Sequence, residues 1–98
     1  MTASYQPNPE IALETLGAAL ERIAKDLKEE CAITKVHVYY QGPVEALDVA
    51  SAVLVVWIDG DHDKAIAVRS RLNQVAREEE WRLGLPERSG GVIVHWLV

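Results

Sequence analysis

The chain is predicted to fold as an α+β domain in the order α-β-β-α-β, with two helices packed on one face of a small mixed sheet. Three observations carry this expectation. Residues 13–27 and 65–76 each repeat apolar side chains at intervals of three and four, the helical period. Residues 34–40, 49–58 and 92–98 are rich in β-branched residues and either alternate or run apolar, as strands do. Clusters of Gly, Pro and Asp punctuate the segments after the first strand. A helix between two strands of one sheet implies a right-handed crossover, which sets the third strand parallel to the second.

Residues 1–7 read as a short arm ahead of a single domain at 8–98. Asn8-Pro9-Glu10 reads as a helix start: an Asn cap, a proline at the first helical position and an acid in the first turn. Leu13, Leu16, Leu20, Ile23 and Leu27 then share one face, and the helix is expected to end near Glu30. In the first strand Thr34, Val36, Val38 and Tyr40 point one way, and Lys35, His37 and Tyr39 the other, as on a half-exposed strand near an edge. Gln41-Gly42-Pro43 breaks that strand. From Val49 to Ile58 the chain is almost unbroken apolar, as in a strand buried on both faces. It pairs with the first strand through a long or bulged hairpin around 41–48.

A second helix begins within Asp59-Gly60-Asp61-His62-Asp63. Its stripe is Ala65, Val68, Leu72, Val75 and Ala76, with Trp81 off it, and Gly84 and Pro86 end it. In the last strand Val92, Val94, Trp96 and Val98 share one face, and Ile93, His95 and Leu97 the other.

The composition narrows the function. Among 98 residues, 15 are acidic and 10 basic, for a net charge of −5. Phosphate binding draws on clustered Lys and Arg, so no nucleic-acid partner is expected. Of the candidate cations Arg69, Arg71, Arg77 and Arg82, the last two flank Glu78, Glu79 and Glu80. No membrane partner is expected either, because the longest apolar run is about half of the roughly 20 residues a spanning helix needs. Met1–Gln6 has neither a basic start nor an apolar run. Cys31 has no partner cysteine in the chain, which points to a reducing, cytoplasmic setting.

Candidate chemistry is sparse. Asp59, Asp61 and Asp63 with His62 form the densest polar cluster, where a hard cation or a phosphorylated ligand could sit. The simpler reading is a turn whose acids cap the second helix, so these four residues stand only as metal candidates. His37, His62 and His95 lack metal-ligand spacing. Cys31 follows Glu29 and Glu30, which disfavour a thiolate. No serine lies in a G-x-S-x-G setting, and Gly90-Gly91 opens a strand rather than a helix. No catalytic residue and no cofactor is expected.

Two families bear on this pattern. The run LERIAKDLKEECAITKVHVYYQG from Leu20, then SAVLVVWIDGDH from Ser51 and Trp81-Arg82, resembles the large, catalytic subunit of molybdopterin synthase over about residues 12–82. Where that family carries a His-Arg pair near the end of the first strand, Tyr39 and Tyr40 stand. His62 is followed by Asp63 where a second His-Arg is found, and Arg82 and Leu83 replace catalytic lysines. The resemblance implies a shortened relative without the catalytic residues, because Arg cannot supply the lysine amine. The element order is also similar to the core of small nucleotidyltransferases. Gly42-Pro43 and Ala52-Val53-Leu54 stand where those carry Gly-Ser and Asp-x-Asp, which implies a degenerate member.

A subunit is expected to result. Two helices cover one face of the sheet, while the second and third strands are apolar on both. Burial of the surplus in a homodimer is therefore expected, with Trp57, Ile93, Trp96 and Leu97 in the interface and a protein or small ligand as a further partner.

Overall fold

The computed structural model describes residues 9–42 and 50–96. Its elements are α1 (Pro9–Asp26), β1 (Ile33–Gln41), β2 (Ser51–Ile58), α2 (His62–Leu83) and β3 (Gly90–Trp96). The sheet order is β1-β2-β3, with β2 central, antiparallel to β1 and parallel to β3. The α-β-β-α-β mixed architecture is thus the one expected. The arm at 1–7, most of the hairpin, and Leu97 lie outside the described residues.

Both helices pack on the same face. Leu16, Leu20 and Ala24 of α1 and Ala65, Val68, Leu72 and Ala76 of α2 share one core with Ala52, Leu54, Val56 and Ile58 of β2, α1 lying over β1 and β2 and α2 over β3. Ile33, Val92 and Val94 complete this core from the flanking strands. The even positions of β2 therefore carry the buried layer. Its odd positions face away from the helices, as the two-residue period of a strand requires.

Both helices close with the same hydrogen-bonded device. Regular α1 stops at Asp26, earlier than the expected Glu30, but the chain continues in turns to Ala32. Ile33 N–H donates to Lys28 O at 2.9 Å and Ala32 N–H to Glu29 O, with Ala32 left-handed at φ 53°. At the end of α2, Leu85 N–H donates to Glu80 O and Gly84 N–H to Trp81 O, with Gly84 at φ 70°. Both are Schellman closures, and each returns an apolar residue to the core side. Gly84 is legible as a cap in the sequence. Ala32 is not, because a left-handed alanine carries no sequence signal.

β2 runs from Ser51, and Val49, where the expected strand starts, lies outside the described residues. The first residue of β2 pairs with Gln41 of β1, and one residue on Ala52 N–H donates to Ser89 O at 2.8 Å, where the pairing with β3 begins.

Candidate functional site

The acidic turn is built as a helix cap. Asp61 adopts an extended conformation and its Oδ1 accepts Lys64 N–H at 2.9 Å, while Asp63 sits in the first turn of α2. Both arrangements complement the positive end of the helix. Asp59 is exposed at the end of β2, where its main-chain N–H reaches Ala32 O. The His62 ring lies 5.1 Å from Trp96, at 59°. Among the described residues, no group of three or more His, Cys, Asp or Glu is placed to hold a metal ion.

The sheet face turned away from the helices carries three cross-strand rows: Tyr39–Val53–Gly91, His37–Val55–Ile93 and Lys35–Trp57–His95. Val53 and Val55 are each only 6% exposed, although among the described residues no helix lies over them. Their neighbours account for this. His37 and Tyr39 stack along β1, Trp57 stacks on His95 at 5.3 Å, and Lys35 Nζ sits 4.9 Å from the Trp57 ring. Flanking side chains therefore already shield the valines, and the surplus apolar surface expected here is smaller than the sequence implies.

The surplus lies elsewhere, beside β3. Among the described residues, this strand pairs with β2 on one side only. Along its second side, His62, Ala65, Ile66 and Arg69 of α2 and Val92, Ile93, Val94 and Trp96 of β3 line a half-open cleft of about 290 Å³. Ile66, Ile93 and Trp96 there are 51%, 39% and 37% exposed, large apolar groups gathered at one margin. Of the four interface residues expected from the sequence, Trp57 and Ile93 thus lie on the open face. Trp96 lies on the helix side, in register with Ile58. Ile66 escaped the sequence reading. Its signal is an isoleucine one position off the core stripe, four residues after His62.

One end of this edge is already filled. Glu80, 2% exposed, accepts Gly90 N–H at 2.6 Å and holds Arg77 Nε at 2.7 Å, and Arg77 in turn donates to Gly90 O. The pair thereby completes both main-chain groups of Gly90, much as a neighbouring strand would. Glu80 occupies a core position, four residues after Ala76, and that placement is the signal the charge run concealed. Arg71 pairs with Glu30 at 2.6 Å and Arg82 with Glu79 at 2.6 Å, so three of the four candidate arginines are engaged.

The positions compared with the molybdopterin synthase family are dispersed. Tyr39 lies on the open face of β1, with Tyr40 turned toward Gly17 of α1. His62 begins α2, and Arg82 lies in its last turn. Cys31 is buried. Among the described residues, no helix is long and apolar enough to cross a membrane. No protein-family model, curated protein or solved structure matches the chain.

Proposed function

We propose that the chain acts as a self-associating interaction subunit, whose role is carried by a surface between copies rather than by a catalytic centre. The observation that supports this is the gathering of Ile66, Ile93 and Trp96 beside a strand edge that is unpaired among the described residues. Apolar area of this kind is removed from water at about 25 cal/mol per Å², which drives association where no helix of the same chain covers it. A net charge of −5 opposes self-association in general. β3 escapes that penalty, because Gly90–Trp96 contains no Lys, Arg, Asp or Glu.

Sedimentation equilibrium of the chain from about 1 to 100 μM, the range of moderate protein–protein affinities, tests the reading. The expected result is twice the chain mass with a concentration-dependent transition. A single monomeric species throughout would sink it.

A further inference from the structure

We propose that the margin of β3 takes an extended peptide segment of another protein, added beside β3 as a fourth strand beneath α2. The segment carries apolar side chains at alternate positions and one acidic residue among them. This occupant goes beyond self-association and does not depend on it.

The backbone of β3 is arranged for a strand. Ala52 N–H donates to Ser89 O, so the odd-numbered residues of β3 turn their main-chain groups toward β2. Gly90 turns its own outward and meets Glu80 and Arg77 there. Val92, Val94 and Trp96 turn theirs the same way, and among the described residues no strand lies beside them. Their N–H and C=O groups alternate over about 13 Å, a spacing that another extended backbone matches and a compact small molecule does not. Such an edge is normally blunted by a charge, a proline or a bulge. β1 has two of these devices, Lys35 and an irregularity between Ile33 and Lys35. Gly90–Trp96 contains no Lys, Arg, Asp, Glu or Pro, and its register with β2 is unbroken.

α2 decides what fits this edge. Its Glu80 and Arg77 reach past β3 to the outward groups of Gly90, which closes the groove at that end. Toward Trp96 the half-open cleft of about 290 Å³ separates the helix from the strand. A second sheet would bring its own helix into the space that α2 occupies. A single extended segment lies beneath α2, as β3 itself does.

The lining of the cleft sets the side chains. In an antiparallel addition, the residues opposite Val92, Val94 and Trp96 point to the helix side, as those three do. There they meet Ile66, Val92, Val94 and Trp96, which favour apolar groups, and Arg69. Arg69 has no ion-pair partner among the described residues, so one acidic residue in this frame supplies its counter-charge. A polyacidic segment is disfavoured by the net charge of −5.

The test uses the full chain, immobilised sparsely so that copies do not meet, and a phage-displayed library of random heptapeptides. Selection is expected to enrich peptides that are apolar at every second position, with one Asp or Glu in that frame. In a synthetic peptide of the enriched sequence, N-methylation of the amides in that frame should weaken binding about tenfold, because those N–H groups meet β3. N-methylation of the intervening amides should change it by less than about twofold. Selection on an Arg69→Glu variant should enrich Lys or Arg in place of the acid. Tyr39→Glu, on the open face, should leave binding unchanged. No enriched sequence, or an enriched peptide indifferent to N-methylation in the frame, would overturn the proposal. Failed selection together with a concentration-dependent dimer would assign the margin to a second copy and overturn the peptide. A monomeric chain that selects such a peptide would support this occupant while overturning self-association.

Discussion

At the scale of single residues, the largest departure from expectation is Glu80. A carboxylate within a run of three acids reads as solvated surface, yet here it is buried and triply engaged. Removing one partner of a buried, paired group leaves the others desolvated and unsatisfied, at about 2–4 kcal/mol. Glu80→Ala should therefore lower the urea-unfolding free energy by about that much. Glu80→Gln, which keeps an oxygen for Gly90 N–H but loses the charge facing Arg77, should cost roughly half as much. Glu30 behaves differently because it lies at the surface. A hydrogen bond from Arg71, and then its positive charge, hold the Glu30 carboxyl below its ordinary range. A depressed carboxyl contributes stability above its unfolded value and loses it as the pH falls through the lower folded one. Arg71→Ala should move the Glu30 titration up toward the ordinary value, as followed by NMR. Solvent screening keeps the stability change small.

At the scale of elements, the two helix closures offer an internal comparison. The same hydrogen-bonded motif ends in left-handed Gly84 after α2 and in left-handed Ala32 after α1. Alanine carries a steric penalty there that glycine avoids. Gly84→Ala should therefore destabilise by about 1 kcal/mol, and Ala32→Gly should stabilise by a few tenths to about 1 kcal/mol, both read from chemical denaturation. An equal loss from both substitutions would mean that unfolded-state entropy outweighs the strain at Ala32. The acidic turn belongs to the same scale, with Asp61 spent on capping α2 and Asp63 placed in its first turn.

For the whole molecule, the two faces of the sheet answer different demands. The helix side is a continuous core of Leu, Val, Ile and Ala, and the open side shields its own valines with rings drawn from all three strands. Apolar surface left over by this division collects at the β3 margin. The proposed association there would stabilise the folded state by mass action, and the Tm is then expected to rise with protein concentration. Ile66→Glu should flatten that dependence in a calorimetric dilution series. A Tm independent of concentration in the unmodified chain would argue against the subunit reading at this scale.

Much of the architecture follows from the chain's local pattern. The helical spacing of Leu16, Leu20, Leu72 and Ala76, the alternation of β1 and the unbroken apolar run of β2 each report the environment of one element. The handedness of a β-α-β crossover then leaves the parallel pairing of β2 with β3 as the expected outcome. Three features required the tertiary structure. Apart from Trp57, the residues that cover Val53 and Val55 come from the two neighbouring strands, so no local period announces that their face is already shielded. Glu80 is buried because a strand ten residues later offers Gly90 N–H to it. Ile66 and Trp96 form one margin because α2 folds back antiparallel over β3, which brings the first turns of a helix beside the last residues of a strand. Side-chain period is written in neighbouring residues, whereas shielding, charge burial and the free edge depend on which distant segments the fold sets side by side.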